Sequence, residues 1–383
     1  MHLRYKVNNY NHRIVFCPDK EGIQIKNKVN SYTTIAKDLK KNYNDKKIVL
    51  IYDKKINKDI INYLIHDLKI SFNQLKLISF QGSKKNKNIN QLLKIINFLI
   101  KNKFTKKSVL ISCGGGVIGD ICGLASSLYL RGMIHYHIPT TMTAIVDSCI
   151  GGKTGINYKG IINSLGNYYH ADRVYISKNI IKFIPEREYI SGIPEIIKCG
   201  LINDKNIFKL LKNKKKILDR DFKHISKLIQ LSLKTKIKFF KKDVEEQNER
   251  LKLNFGHTFA HAIEMALDKK KTEIIRHGEA VAIGLLCEIF YAKGDNNDFK
   301  KTKEILEIFN IPCNLNSYIK KTSDSEFKKN IFQNIFLDKK RIGSNPRYVK
   351  LTNIGKSNIS EMKNYNRIYK TIDYVIFGKK NNA

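Results

Sequence analysis

Three histidines occur close together in the segment Leu251–Glu279, which reads LKLNFGHTFAHAIE and ends, after a short basic insert, in IIRHGE. His257 and His261 are four residues apart, so their imidazoles share one helix face if that segment is helical. His277 precedes a second apolar segment, Glu279–Ala292, and is expected at a helix start facing the first pair. Neutral imidazole is the commonest metal ligand. The pattern is typical of a metal site, but two amphipathic helices with surface histidines would show the same spacing.

A carboxylate that could complete such a site lies in PEIIKCG, where Glu195 and Lys198 are three residues apart on one predicted helix face. The two side chains can form a structural ion pair, or they can serve as a metal ligand and a substrate-binding lysine. Glu195, His257 and His277 together would give a Glu/His/His set that leaves positions open for substrate oxygens, as a catalytic Zn²⁺ requires.

A glycine-rich segment, CGGGVIGD at Cys113–Asp120, follows a predicted strand and opens a predicted helix. Glycines there let the backbone approach a phosphate, and a helix N-terminus offers free N–H groups. Thr140 and Thr141 follow the next predicted strand, at the edge where open α/β sheets bind ligands. These segments favour dinucleotide binding. DSCIGGKT lacks the spacing of a nucleotide-triphosphate loop, although its Lys153 can still bind an anion.

The elements that must position these residues differ between the two halves of the chain. Short β-rich runs alternate with helical runs in the first half, which predicts a parallel sheet with helices on its faces. Strands are predicted at Lys47–Tyr52, Gln74–Phe80, Lys107–Cys113 and Ile134–Ile138, with helices at Ile56–Leu68, Ile89–Lys103 and Val117–Tyr129. The second half predicts helices at Glu186–Ile202, Ile225–Lys242, Leu253–Leu267, Glu279–Ala292 and Lys301–Phe309. We therefore predict an α/β domain at 1–184 and a helical domain at 185–383.

The formal net charge of +37 is typical of proteins that bind nucleic acid or an anionic surface. The lysines are nevertheless dispersed, and no homeodomain, zinc-finger or aromatic RNA-binding signature accompanies them. Lysine, asparagine and isoleucine are residues of A/T-rich codons, so we favour compositional drift and do not expect nucleic acid as a partner. A positive field would still attract a phosphorylated substrate.

The remaining composition indicates a globular protein of a reducing compartment. Hydrophobic residues make up 42% of the chain, and no apolar run approaches the ~20 residues of a membrane helix. The start of the sequence has no pattern of a secretory signal. Seven cysteines are scattered without a CxxC pair, which favours reduced thiols and a cytoplasmic location.

Several segments occur in one order and at characteristic intervals: CGGGVIGD, the pair Arg131-Gly132, PTT…VDSCIGGKT, EIIKCG, LNFGHTFAH, RHGE and DKKRIG…IGKS. From about Lys47 to Ser357 the chain therefore resembles the 3-dehydroquinate synthase family. The resemblance implies a Rossmann-like, NAD-binding α/β domain and an all-α metal- and substrate-binding domain. It also implies a cytoplasmic shikimate-pathway lyase that converts 3-deoxy-D-arabino-heptulosonate 7-phosphate to 3-dehydroquinate and phosphate, with catalytic NAD⁺ and Zn²⁺ or Co²⁺, as a homodimer.

The family's functional positions can be transferred residue by residue. The implied metal ligands are Glu195, His257 and His277, whereas His261 is implied to assist proton transfer near the substrate's phosphate. The implied substrate contacts are Arg131, Asp147, Lys153, Asn163, Lys198, Lys236, Arg250, Asn254, His261 and Lys356. Of these, the implied catalytic positions are Lys153, Lys198, Arg250, Asn254 and His261. The implied cofactor contacts are Asp53, Gly115, Gly116, Val117, Gly119, Asp120, Thr140, Thr141 and Lys153.

Most departures from the family pattern concern the NAD side. The changed positions are Gln81-Gly82-Ser83 in place of DGE, Asn86 and Ile162 in place of lysines, Phe183 in place of threonine and Ala260 in place of glycine. Each lost charge could weaken NAD⁺ binding by roughly 1–3 kcal/mol of binding free energy if nothing replaces it. We therefore expect NAD⁺ to bind more weakly than is usual for the family, unless Lys84, Lys85 or Lys87 compensates.

Three alternative functions remain open. Another NAD- and metal-dependent sugar phosphate cyclase would differ at some substrate contacts, and a simple metal alcohol dehydrogenase would need fewer cations and would accumulate NADH. A basic nucleic-acid-binding relative without activity would show retention on DNA that falls steeply with salt.

Overall fold

The computed structural model describes residues 2–7, 10–17, 31–43, 45–268, 275–319, 324–337 and 345–378. The chain divides into two compact units, Met1–Tyr189 and Ile190–Ala383. The predicted boundary after Ile184 lies shortly before this division. The segment DKKRIG, which contributes to the family resemblance, lies outside the described residues.

A seven-stranded sheet forms the centre of the first unit, in the order β1-β2-β9-β6-β5-β3-β4. The strands of this unit are β1 His2–Val7, β2 Tyr10–Cys17, β3 Ile48–Asp53, β4 Leu75–Phe80, β5 Val109–Gly114, β6 Ile134–Pro139, β7 Lys153–Tyr158, β8 Ile161–Tyr168 and β9 Arg173–Ser177. Pairing is parallel throughout the sheet except between β1 and β2, and β7 and β8 form a separate antiparallel hairpin.

The predicted strands and helices of the α/β part are confirmed to within a few residues. Its helices are α1 Ser31–Tyr43, α2 Lys58–Ser71, α3 Ile89–Lys101, α4 Gly116–Leu128 and α5 Lys178–Phe183, and α6 Glu186–Ile190 ends it. Short 3₁₀ turns occupy Lys84–Asn86 and Tyr129–Arg131, and a π-turn occupies Ala144–Ser148. β5 is buried along its whole length, because its apolar VLISCG sequence is covered on both faces. The strands β1, β2, β7, β8 and β9 were not predicted.

The second unit is mostly helical. Its elements are α7 Ile193–Ile202, α8 Asn206–Leu211, α9 Lys214–Leu218, α10 Phe222–Lys242, α11 His257–Asp268, α12 His277–Lys293, α13 Asn297–Ile308, α14 Asp324–Phe336, the hairpin β10 Arg347–Asn353 and β11 Lys356–Glu361, and α15 Tyr365–Thr371. A 3₁₀ turn spans Glu249–Asn254, and a π-turn spans Ile372–Ile376. Within the described ranges, no helix is both long and apolar enough to cross a bilayer.

Two predicted helices of this unit have the wrong limits. The prediction of one helix at Glu186–Ile202 is wrong, because the chain breaks at Ser191-Gly192 into α6 and α7. The predicted start of a helix at Leu253 is also wrong, because Gly256 adopts a positive φ of 81° and α11 begins only after it. The hairpin of β10 and β11 was not predicted.

Two histidines are buried together beneath α4 in the first unit. His135 Nε2 and His137 Nδ1 each lie 2.8 Å from the hydroxyl of Ser112 on the neighbouring strand. Gly119 of α4 packs directly on this pair, since a Cβ there would lie 3.0 Å from His137 Cε1. Burial lowers the pKa of His135 to about 3, with a contribution from His137, and burial lowers the pKa of His137 to about 4 despite its bond to Ser112.

We predict that this buried pair makes the protein sensitive to acid. Both pKa values are lower in the folded chain than the unfolded value of ~6.5, so the unfolded chain takes up protons first as the pH falls. The stabilisation is complete above pH ~6.5. It is lost as the pH falls from that value to about 4 for His137 and to about 3 for His135, at about 1.4 kcal/mol per histidine and pH unit.

Urea unfolding of the H137Q variant between pH 7 and 4.5 measures this effect. The free energy of unfolding of the variant is expected to fall less steeply with acid than that of the wild type. Exposed His66 provides the control, and equal slopes for wild type, H137Q and H66Q would contradict the prediction.

Candidate functional site

Helix α7 places two opposite charges in the interior of the second unit. Glu195 and Lys198 are each 1% exposed, and Lys198 Nζ lies 2.5 Å from Glu195 Oε2. Burying a charge is unfavourable unless it is paired, so the spacing of three residues on one helix face stabilises both groups. The predicted ion pair is therefore present, and its contact is with Oε2.

The other oxygen, Glu195 Oε1, faces two imidazoles. His257 Nε2 lies 3.6 Å from it and His277 Nε2 lies 3.5 Å from it. His257 Nδ1 is 3.1 Å from the carbonyl oxygen of Phe255, and His277 Nδ1 is 3.3 Å from a carboxylate oxygen of Glu264. Donation from each Nδ1–H to these acceptors leaves each Nε2 lone pair directed towards the centre of the cluster.

Glycines allow the three helices to come close enough for this arrangement. A Cβ on Gly278 would lie 1.6 Å from the carbonyl oxygen of Ser191, so the start of α12 touches the backbone just before α7. A Cβ on Gly284 would lie 2.0 Å from the carbonyl oxygen of Gly256, so α12 also touches the start of α11. The glycines of FGH and RHGE are therefore needed to bring His257 and His277 to Glu195.

The electrostatics of the cluster favour a bound cation. Burial alone would raise the pKa of Glu195, but Lys198 and His277 outweigh it and lower that pKa to about 2. Burial would lower the pKa of His277, but Glu264 and Glu195 outweigh it and raise that pKa to about 10. The two carboxylates thus stabilise the protonated, positively charged form of His277. A divalent metal would replace the proton on its imidazole and benefit from the same negative charges.

The geometry of Glu195, His257 and His277 fits a metal ion. Their ligand atoms all lie within 4.8 Å of one another. Ligands about 2.0–2.1 Å from a tetrahedral Zn²⁺ are about 3.3 Å apart, close to the two distances from Glu195 Oε1 given above. That oxygen is buried and accepts no hydrogen bond of good geometry from the described residues. The chain offers three ligands and leaves a position open, as in catalytic zinc sites.

His261 lies beside this cluster but is not part of it. Its ring centroid is 5.4 Å from that of His257 and 6.3 Å from that of His277. Among the described residues, the ligand atoms that converge belong to Glu195, His257 and His277. The interpretation that His257 and His261 are paired metal ligands on one helix face is therefore not supported. The implied role of His261 in proton transfer stays a prediction.

Glu264 is expected to strengthen metal binding through His277. It accepts from the Nδ1 of His277, and a carboxylate in that position orients the ring and makes the ligand more basic. The E264Q variant is expected to bind Zn²⁺ or Co²⁺ about 10–100-fold more weakly, as measured by competition with a chelator. The control is E307Q, whose carboxylate is exposed on α13. Equal metal affinity of the two variants would contradict this role.

The implied substrate contacts of the second unit lie on elements that surround α7. Helix α7 packs against α10, the 3₁₀ turn Glu249–Asn254 and β11. Lys236 of α10 and Arg250 are buried, and the Arg250 guanidinium donates to the carbonyl of Val244 at 2.7 Å. Asn254 Nδ2 donates to Glu246 at 2.7 Å. Lys356 begins β11 and is exposed, next to Gly355, whose N–H donates to a carbonyl of α7.

In the first unit, the glycine-rich loop follows β5 at the carboxyl edge of the sheet. In the sheet, β4 lies on one side of β3, whereas β5 and then β6 lie on its other side. The order of the strands therefore reverses between β3 and β5, which makes this edge a topological switch point. Helix α4 begins at Gly116 without a side-chain cap, which leaves its first N–H groups available. Thr141 packs on Gly115 and Ser148 packs on Gly116. The predicted residue Thr141 is thereby brought to the loop, whereas Asp147 lies next to Ser148 in the chain and its contact with substrate stays a prediction.

Asp53 closes this edge on the other side. It ends β3, and its Oδ1 accepts from the N–H of Gly82 at 3.1 Å and from the N–H of Lys55 at 3.0 Å. A Cβ on Gly82 would lie 2.6 Å from Asp53 Oδ2, so the loop after β4 can approach Asp53 only because of this glycine.

A lysine does lie on the predicted cofactor side, one residue later than expected. The Lys87 side chain is largely buried, and its ammonium contacts the carboxylate of Asp120 and lies 2.5 Å from Asn163 Oδ1. Asn86 instead donates its side-chain amide to the carbonyl of Gln81 and closes the loop. Lys87 therefore supplies a cation on this side although position 86 is an asparagine. It is one of the three lysines that the sequence offers as a replacement.

Other predicted residues on this side are exposed. Arg131 has a φ of 63° and lies in the 3₁₀ turn after α4, whose last residue, Leu128, is about 18 Å along the helix from Gly116. Lys153 is exposed at the start of β7. Ile162, in place of a lysine, and Phe183, in place of a threonine, are 51% and 40% exposed, so neither side chain fills the interior. Substrate contacts of Arg131 and Lys153 stay predictions.

Comparison with known proteins identifies the family. The family model for the N-terminal part of 3-dehydroquinate synthase matches residues 77–191, and that for the C-terminal part matches residues 192–341. The chain belongs to the 3-dehydroquinate synthase family. A 3-dehydroquinate synthase of Dictyoglomus thermophilum is 39% identical over 73% of this chain and 76% of its own length. That of Clostridium beijerinckii is 35% identical over 84% of this chain and 89% of its own length.

Solved structures share the fold at lower identity. A 2-deoxy-scyllo-inosose synthase complexed with carbaglucose-6-phosphate, NAD⁺ and Co²⁺ gives a TM-score of 0.83 at 20% identity, over 98% of this chain and 100% of that chain. A 2-epi-5-epi-valiolone synthase from Streptomyces hygroscopicus with NAD⁺ and Zn²⁺ gives 0.78 at 18% identity, over 96% and 97%. The predicted fold class, an α/β part followed by a helical part, is confirmed.

Sequence reasoning missed two residues that the structure places at the site. Glu264 is three residues after His261 and shares its helix face, so the same periodicity could have identified it. Gly278 was seen only as part of RHGE, and no sequence signal indicates that it touches Ser191.

Proposed function

We propose that this protein converts 3-deoxy-D-arabino-heptulosonate 7-phosphate to 3-dehydroquinate and phosphate. The overall reaction combines transient oxidation, β-elimination of phosphate, re-reduction and intramolecular aldol closure. The observation that carries the proposal is the buried cluster of Glu195, His257 and His277 with Lys198 beside it, in a chain of this family. The lyase class, a cytoplasmic location and a homodimer belong to the proposal through the family alone.

The described residues suit NAD⁺ and a divalent metal. NAD⁺ would supply a hydride acceptor, and Zn²⁺ or Co²⁺ held by Glu195, His257 and His277 would supply a Lewis acid for a substrate hydroxyl. The uncapped start of α4 and its glycines suit the pyrophosphate of a dinucleotide. We propose that Thr141, which packs on Gly115, and Asp120 of α4 contact the remainder of that cofactor.

The protein's own side chains would bind and orient the substrate. Lys236, Arg250 and Lys356 of the second unit offer cations for its phosphate and carboxylate, and charge-assisted hydrogen bonds of this kind are the strong ones. Lys153 of the first unit is a further proposed contact, through the family alone. The Lys198 side chain is already held by Glu195, so it loses no further conformational entropy when substrate binds. His261 lies next to the cluster and can accept and return a proton. Holding one substrate in one orientation through successive steps is proximity catalysis.

A turnover assay tests the reaction directly. Purified protein with Co²⁺ or Zn²⁺, saturating NAD⁺ and the heptulosonate phosphate is expected to release phosphate and dehydroquinate in equal amounts without accumulation of NADH. Net NADH formation would indicate a simple dehydrogenase. Turnover of a phosphosugar without a carboxylate, in preference to the heptulosonate, would indicate another cyclase. H257A and H277A are expected to abolish turnover together with metal binding.

Lys87 is expected to contribute to NAD⁺ affinity. Its ammonium lies between Asp120 and Asn163, so it can position Asp120 and neutralise an approaching phosphate. K87M is expected to raise the Kd for NAD⁺ roughly tenfold, because a hydrogen bond to a charged group contributes about 1.5–3 kcal/mol. Calorimetric titration of the metal-loaded protein measures this Kd without turnover.

The matched control is K85M, an exposed lysine in the same loop. Equal Kd values for K85M and K87M would refute the role of Lys87. A sub-micromolar Kd for the wild type would also refute the expectation that the altered NAD side binds weakly.

A further inference from the structure

An open cleft lies in the second unit at the end of α12 opposite to His277. It has a volume of about 600 Å³ and lies between the end of α12, the hairpin of β10 and β11, and the start of α15. The residues that matter here are Tyr291, Arg347, Tyr348, Ser360, Asn364 and Arg367. The implied metal and substrate positions are not among its lining residues. Tyr291 lies about 20 Å further along α12 than His277.

Aromatic rings form the rigid wall of this cleft. Tyr291 and Tyr348 are both 6% exposed and pack edge to face, with centroids 5.0 Å apart and an interplanar angle of 85°. The N–H of Asn364 donates to the Tyr291 hydroxyl at 3.2 Å, which fixes the segment before α15 to α12. The wall is therefore held in place without a ligand.

Two arginines, Arg347 and Arg367, line the cleft together with Lys363 and with Glu361, the cross-strand partner of Arg347, in a chain whose basic residues are mostly lysines. The Arg367 guanidinium lies over the Tyr291 ring, 6.0 Å from its centroid, which orients its planar fork. No carboxylate of the described residues lies within ion-pair distance of Arg367. Arg347 approaches from β10, and its backbone is fixed because its carbonyl accepts from Thr258 at 2.9 Å. An acid in the lining, Glu361, lies 3.7 Å from Lys363.

We propose that this cleft binds a small anion whose phosphate or carboxylate group is held by Arg347 and Arg367. A guanidinium donates two parallel hydrogen bonds to either group, which a lysine cannot do. The hydroxyl of Ser360 and the side-chain amide of Asn364 add donors at the same rim. The volume accommodates a compact organic acid or phosphate ester in addition to the bare ion.

Calorimetric titration of the full chain at fixed ionic strength tests the cleft, with inorganic phosphate and with malonate as probes. The wild type is compared with the double variant R347Q/R367Q and with K300Q/K301Q, which removes the same charge from exposed positions of α13. The active-site residues are unchanged in all three proteins, so their contribution to the heat is common. The arginine variant is expected to lose one binding event or to bind at least about tenfold more weakly.

Each outcome decides the matter. A difference confined to the arginine variant supports the site, and the probe that produces it shows whether the group is phosphate or carboxylate. Identical isotherms, or an equal loss in K300Q/K301Q, would overturn the proposal, because only the general positive field would then be involved. R367K, which keeps the charge and loses the fork, is expected to bind more weakly than the wild type. Unchanged turnover of R347Q/R367Q would show that it is folded.

Discussion

A buried carboxylate, Glu195, is the constraint around which the second unit is organised. A carboxylate in the interior is unfavourable unless its oxygens are satisfied, and here each oxygen faces a different partner. One oxygen is paired with Lys198, and the other is directed at two imidazoles. The first partner comes from the same helix, but the imidazoles require two further helices to converge on it. The fold of this unit and the chemistry of its site therefore depend on the same group.

The three helices can converge because glycines, which have no side chain, occupy the points where they touch. At Gly256, Gly278 and Gly284 the approaching backbone occupies the space of a Cβ. Such contacts tolerate little movement, because protein interiors are densely packed and even one added carbon atom destabilises the folded state. The ligands consequently reside on rigid elements, which is the condition for a catalytic group to be held in a productive geometry. In the first unit, Gly82 and the glycine-rich loop do the same for the cofactor side.

The sequence allowed the metal cluster, the glycine-rich loop and the fold class to be predicted, because these depend on local spacing and on motifs. His257 and His277 carry their own glycines, and a strand followed by CGGG is a local pattern. The break at Ser191-Gly192 was missed although the sequence indicates it, since a Ser-Gly pair is typical of a turn and Pro194 lies in the first turn of α7. Strand β9 was missed because its partners β2 and β6 are distant in sequence. The antiparallel pairs β1-β2, β7-β8 and β10-β11 are local, and their strands were missed because they lack a clear alternation of apolar and polar residues; β8, for example, is almost wholly exposed.

The loop between β4 and α3 gives a different view of the altered NAD side. Compared column by column with the family pattern, this loop has lost its lysine at Asn86. In space the cation is present, because Asn86 folds back on Gln81 and the chain reaches the interior one position later, at Lys87. The length of the loop, together with the identity of residue 87, then decides whether a cation faces Asp120. Deleting a single residue between Ser83 and Asn86 would shift that cation by one position and alter this face more than several substitutions on the loop's exposed surface.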